Sequence, residues 1–295
     1  MDDRTTMSGR PEHDQVLGGR FRLVEPFAED PLLEVWLAED LELRREVVIK
    51  LLLPRWMDDE EMLERFRFDA MVAAGLLHEN VARTYDVEHS GDRLFAVTEY
   101  VPGPTVEELL AGAPLEPQAV AAIGRQVALG LASMHEQGLV HAAVCPSNLV
   151  VALNGRLCII DFGSVRLLSA DDRNLPDPVF PEPGVRDYWP PERLEGSPPD
   201  AHSDVYSLGL LMWEALHGGR DIDATESRPV RRLLASLPGG DEATPLLRDL
   251  LVGATSQDPT DRPGAAELAE QLIEVCGSRP QDHLEVLVRK VEGSA

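Results

Sequence analysis

The sequence predicts an α+β chain in two lobes, strand-rich first and helical second. Strand-like apolar runs dominate before residue 101. Pro102-Gly103-Pro104 then breaks the chain, and beyond it apolar residues recur at three- and four-residue spacing.

The elements follow in order. Residues 1–16 are polar and read as a flexible tail. Strands are expected at Phe21–Val24, Leu33–Ala38 and Glu46–Leu52, a helix from Asp58 to Leu77, and strands at Ala82–Glu88 and Leu94–Tyr100. Past the break, Thr105 with Glu108 three residues on predicts a capped helix to Ala111, followed by a helix over Pro117–Gln137. Asn154-Gly155 between Leu149–Leu153 and Leu157–Ile160 predicts a hairpin. Residues 171–199, rich in Pro, Asp and Glu, predict an irregular loop. Helices are expected over Ala201–His217, Val230–Ser236, Thr244–Ala254 and Gly264–Cys276. The resulting division is 1–16 tail, 17–101 strand-rich lobe, 102–276 helical lobe and 277–295 C-terminal extension. In that extension Leu284, Val286, Leu287, Val288 and Val291 form an apolar set too short to decide between packing back and docking a partner.

Composition excludes several classes. At 295 residues with 43% hydrophobic and 27% charged residues, the chain has the balance of a folded protein that can bury a large core. Its formal net charge of −25 repels phosphate backbones and anionic lipid, so neither nucleic acid nor membrane is an expected partner. Cys145, Cys158 and Cys276 are too few and too scattered for a disulfide framework or a zinc site. Leu208–Trp213, among the longest apolar runs, falls far short of the roughly 20 residues a membrane span needs. With no basic, apolar leader at Met1-Asp2-Asp3-Arg4, a cytoplasmic location is expected. Lys50 and Lys290 are the only lysines in a chain that otherwise uses arginine, so a lysine kept inside Val47–Leu52 invites a chemical reason.

The motifs supply one. Besides Lys50 in its strand, the chain carries His78-Glu79-Asn80-Val81, Glu99-Tyr100-Val101, His141 through Asn148, and Asp161-Phe162-Gly163. Pro190-Pro191-Glu192, Asp204-Val205-Tyr206-Ser207-Leu208-Gly209 and Asp261-Arg262-Pro263 follow. In this order and spacing, over roughly residues 17–275, the set resembles the bacterial eukaryotic-like Ser/Thr protein kinase family. The resemblance implies a bilobal protein-kinase-like fold with ATP and Mg²⁺ as cofactors. It implies that Lys50 meets the α/β-phosphates with Asp69 as its acidic partner, one methylene shorter than the family's glutamate. It further implies that Glu99 and Val101 meet adenine and that Asn148 and Asp161 hold Mg²⁺. His141, Phe162, Glu192, Asp204 and Arg262 fall at structural positions, with Arg262 the salt-bridge partner of Glu192.

The same resemblance shows what is missing. Phosphoryl transfer is mostly positioning and charge stabilisation, divided among named parts. The glycine loop is replaced by Ala28-Glu29-Asp30-Pro31-Leu32-Leu33, which holds no glycine, loses a donor at Pro31 and sets Glu29 and Asp30 beside a polyanion. The aspartate that accepts the substrate proton is Ala143, and a methyl group accepts nothing. The lysine two residues on is Cys145, and the arginine that reads a phosphorylated loop is Ala142. Ser164–Glu192 contains no threonine, and Val185 stands where a Thr or Ser is usual.

Each survivor also has a plainer reading. Lys50 can serve as an ion pair or a snorkelling side chain, Asp161 as a turn cap, and Cys145 as a small buried residue. The leading functional expectation is a pseudokinase that signals or scaffolds through protein partners. Residual ATP binding stays open, with Asn148 and Asp161 for it and Glu29, Asp30 and Pro31 against. The alternative is an active Ser/Thr kinase or other phosphotransferase that uses Asp161 as base. Thr5 and Thr6 beside Asp2 and Asp3 suggest a third role, as a target of an active kinase read by a phosphothreonine-binding module.

Overall fold

The computed structural model describes residues 11–29, 32–111, 113–161, 166–167, 184–218 and 243–293. The chain divides into two compact units, residues 1–77 with 82–100 and residues 78–81 with 101–295. The expected helix at 230–236, and Thr5 and Thr6, lie outside the described residues.

The first unit is built on one antiparallel sheet. Its strands are β1 (Val16–Leu17), β2 (Phe21–Glu29), β3 (Leu33–Asp40), β4 (Arg45–Leu52), β5 (Thr84–Ser90) and β6 (Arg93–Glu99), in the order β1-β2-β3-β4-β6-β5. The sheet curls until its edges meet, where Gly18 N–H donates to Ser90 Oγ at 3.0 Å. The two-residue period of β4 sends Val47, Ile49 and Leu51 into a core with Phe21, Leu23, Trp36 and Phe95. Leu52, together with Leu33, Leu94 and Ala96, faces the other way, against Phe66 and Ala70 of helix α1 (Glu60–Gly75). Asp59 caps α1 by accepting from Met62 N–H at 3.2 Å, and Glu60 and Glu61 suit the positive end of its dipole.

The second unit is mainly helical. Its helices are α2 (Val106–Leu110), α3 (Pro117–Glu136), α4 (Pro191–Leu194), α5 (Ala201–His217), α6 (Ala243–Ala254), α7 (Ala265–Cys276) and α8 (Pro280–Glu292). Thr105 and Glu108 form the capping box that the sequence predicts for α2. Helix α5 is buried on nearly every side, which is why its sequence reads as an apolar run with no polar face. Helix α3 packs against α5, α7 and α8. Strand β8 (Leu149–Val151) pairs with β9 (Leu157–Ile159) across the Asn154-Gly155 turn, and β7 (Leu139–Val140) pairs with β10 (Arg166–Leu167).

One difference from the sequence reading matters, and one choice it left open is decided. The described end of the segment expected to be irregular holds a 3-10 turn at Val185–Tyr188 and then α4, so it is not loop throughout. The C-terminal apolar set forms α8 and packs back on α3, with Leu284 and Val288 buried. Its first turn sits on the β8–β9 hairpin: a Cβ at Gly155 would lie 2.2 Å from Gln281 O, and Gly155 has φ +75°. Only glycine meets both conditions.

Candidate functional site

The loop from His141 to Asn148 leaves β7 and enters β8, and side chains from distant elements hold its backbone. Asp204, in the first turn of α5, accepts from His141 N–H and Ala142 N–H at 2.8 Å each and from His135 Nε2 at 2.9 Å. Burial alone would raise the Asp204 carboxyl, but the His135 hydrogen bond and nearby imidazoles, with the backbone donors, hold it below its ordinary value. Ala142 has φ +62°, a left-handed conformation that costs a residue with a Cβ roughly 1–2 kcal/mol. Arg193 of α4, only 4% exposed, donates from Nη1 to Ala142 O and lays its guanidinium 3.7 Å over the Trp189 ring. The buried His141 Nδ1 accepts from Ala143 N–H at 3.2 Å, and Asn148 Nδ2 donates to Ala143 O at 3.0 Å.

The loop is therefore ordered at the backbone and bare at its reactive positions. Ala142, Ala143 and Cys145 are all buried, and Cys145 Sγ lies 3.2 Å from Ser147 Oγ. No side chain at 143 can take a proton. Asn148 turns its NH₂ group to Ala143 O, which leaves its amide oxygen pointing away from that carbonyl. Ile160 N–H donates to Asn148 O at 3.0 Å, which places Asn148 and the neighbouring Asp161 at the open end of the β8–β9 hairpin. Two oxygen donors suit Mg²⁺, which keeps several waters and takes its remaining ligands from phosphates. Among the described residues no group of three or more His, Cys, Asp or Glu could hold a metal by itself.

The other end of that hairpin is tied by residues whose role sequence reasoning missed. Gln126 of α3 donates to Gly155 O at 3.0 Å and accepts from Leu157 N–H at 2.8 Å and Asn80 Nδ2 at 3.0 Å. Asn80 also donates to Leu157 O at 2.8 Å. The signal was a polar residue on the buried side of an apolar helix. Farther along, Arg262 grips Glu192 with both terminal nitrogens, at 2.7 and 2.9 Å, and donates to Ser256 O and His202 O. Val101 is buried in this unit, and Phe162 lies outside the described residues.

In the strand unit Lys50 stands on β4 between Val35 of β3 and Ala96 of β6, on the sheet face that α1 covers. Asp69 of α1 accepts from Arg65 Nε at 3.0 Å, an i,i+4 ion pair within the helix. Glu99 meets the Arg83 backbone twice: its N–H donates to Arg83 O at 2.8 Å, and its side-chain Oε2 accepts from Arg83 N–H at 3.2 Å. The β2–β3 ladder runs on to the Glu29–Glu34 pair, so Ala28 and Glu29 belong to a strand; Asp30 and Pro31 lie outside the described residues. Register passes from Pro26–Trp36 to Ala28–Val35, which makes Phe27 a bulge residue, and its ring lies 5.8 Å from that of Tyr100.

Residues 34–272 match the protein kinase domain family. The chain belongs to the protein kinase family. This kinase-family chain is 33% identical over 259 residues to serine/threonine-protein kinase PknL of Mycobacterium tuberculosis, covering 85% of this chain and 64% of the relative. It is 31% identical over 258 residues to serine/threonine-protein kinase PrkC of Bacillus subtilis, covering 85% of this chain and 39% of that one. The crystal structure of the PknI kinase domain of Mycobacterium tuberculosis superposes with a TM-score of 0.69 at 26% identity, covering 90% of this chain and all of that one. The fold is thus the protein-kinase fold, with a strand-rich N-lobe and a helical C-lobe. The kinase-family chain spans less than two thirds of the length of the curated relatives it matches. ATP and Mg²⁺ are the family's usual cofactors. The relatives' names back an active kinase better than a pseudokinase, and nothing in them marks a degenerate member.

Proposed function

We propose that this member of the Ser/Thr kinase family works without phosphoryl transfer, as a pseudokinase that switches or scaffolds signalling through protein partners. One observation carries the reading. The loop that should present the base is held by Asp204, His141, Arg193 and Asn148, and the side chain it presents at 143 is a methyl group. A disordered loop could rearrange to bring in another group; this one is fixed.

Residual nucleotide binding belongs to the same reading. Mg²⁺, when bound, would neutralise phosphate charge, and Asn148 and Asp161 are the residues that would hold it. Lys50 would meet the phosphates, and Glu99 and Val101 the adenine. A bound nucleotide then stabilises the folded chain by mass action. The test is thermal unfolding with and without ATP and Mg²⁺, beside Lys50→Ala. A rise in Tm that the variant loses supports a live pocket; no shift at millimolar nucleotide removes ATP from the reading.

The relatives' names favour a second reading, an active Ser/Thr kinase or other phosphotransferase of altered mechanism with Asp161 as base. Labelled ATP with Mg²⁺ or Mn²⁺ separates the two. Turnover above a no-protein blank that vanishes in Asp161→Ala establishes the second reading and ends the first. As partners, an active kinase or a phosphothreonine-binding module would act on Thr5 or Thr6. Mass spectrometry of the protein from its native host showing both threonines unmodified would count against that partner class.

A further inference from the structure

Ala142 is clamped from both sides by buried charges of opposite sign. Asp204 Oδ1 takes its N–H at 2.8 Å, and Arg193 Nη1 gives a hydrogen bond to its carbonyl. Arg193 reaches the loop from α4, its guanidinium supported on the Trp189 ring at 3.7 Å. The next peptide is held as well, with Ala143 N–H on His141 Nδ1 and Ala143 O on Asn148 Nδ2. Position 142 itself has no side chain with which to sense charge, yet it keeps the left-handed φ of +62° that needs holding.

We infer that Arg193 is a positioning residue that locks the His141–Asn148 loop permanently, so that the loop keeps its shape in the unphosphorylated protein. The inference deepens the reading of this loop and rests on it only for the role of Asn148. Three features support it. The guanidinium is buried, so its bond to Ala142 O faces little competition from water. The bond ends on the one strained residue of the loop, where a lost donor is felt most. Through Ala143 O the same backbone fixes the Asn148 amide, leaving its oxygen in one direction. The cation is supplied from within the fold, and a phosphate-dependent arginine at 142 becomes unnecessary.

Backbone hydrogen exchange followed by mass spectrometry tests this without nucleotide, so the outcome is independent of whether the protein transfers phosphate. The wild-type chain, shown by intact mass to carry no phosphate, is compared with Arg193→Met and Arg193→Lys. Methionine keeps much of the apolar length and removes the donor; lysine restores a donor. The wild type is expected to protect His141–Ala143 as well as the neighbouring β7. Arg193→Met should speed exchange of these amides roughly tenfold or more while α5 keeps its protection. Arg193→Lys should stay within about threefold of the wild type. An unprotected loop in the unphosphorylated wild type overturns the inference and needs no variant. So does Arg193→Met behaving like the wild type, since Arg193 would then only fill space, or both variants opening the loop equally, since a donor at 193 would then not be what holds it.

Discussion

The β2–β3 connection and the His141–Asn148 loop stand where the resemblance to the family implies phosphate grip and proton acceptance, and they are held differently. The connection has no glycine, and the strand ladder leading to it is described as far as Glu29 opposite Glu34. The loop, by contrast, is held along its backbone by buried side chains: Asp204, His141 and Asn148 bind it through buried hydrogen bonds. The difference teaches that a buried polar frame fixes a loop whatever its other side chains carry, because losing one frame member strands several polar atoms at once, whereas truncating a side chain outside the frame strands none.

The hardest way to break this comparison is at Asp204. Asp204→Ala leaves two loop N–H groups and His135 without their acceptor and should cost about 3–5 kcal/mol in urea unfolding; a cost near that of a surface substitution would contradict the frame. Next comes Gly155→Ala, which meets Gln281 O and a forbidden φ and should cost roughly 2 kcal/mol or displace α8. Unchanged stability and an undisturbed α8 would contradict the close approach.

Restoring the chemistry tests the frame from the other side. If the loop backbone is already in place, Ala143→Asp with Cys145→Lys should raise ATP turnover roughly tenfold or more over the wild type. No gain in a folded double variant would shift the block to the β2–β3 connection.

Acid sharpens the contrast between the lobes. In the N-lobe the Arg20 hydrogen bond holds the Asp40 carboxyl down at about 2, with burial opposing. Because the folded value is depressed, its contribution is fully present above the ordinary carboxylate range and is lost as pH falls through it towards about 2. Asp204 acts with the same sign in the C-lobe. Arg20→Met should therefore flatten the acid limb of N-lobe stability in an exchange or unfolding titration. An acid limb as steep as the wild type's would show that this pair is not its source. The smallest effect belongs to Ala142→Gly, which relieves the left-handed φ at some cost in chain entropy and should stabilise by about 0.5 kcal/mol.

Much of this was legible in the sequence. Ordered motifs from Lys50 to Arg262 pointed to the kinase family, and the period of β4, the Thr105–Glu108 cap and the Asn154-Gly155 turn identified local structure. Two-residue strands such as β1, β7 and β10 were not legible, because pairing partners define them and no periodicity does. Nor was α8, whose apolar set is too short to show which surface it covers. The sequence by itself determined which chemical groups are present: no glycine between residues 28 and 33, a methyl at 143, a thiol at 145. Only the tertiary structure decided that Gln126 ties the hairpin and that Arg193 holds Ala142, since a long flexible side chain chooses its partner by what the fold brings within about 3 Å.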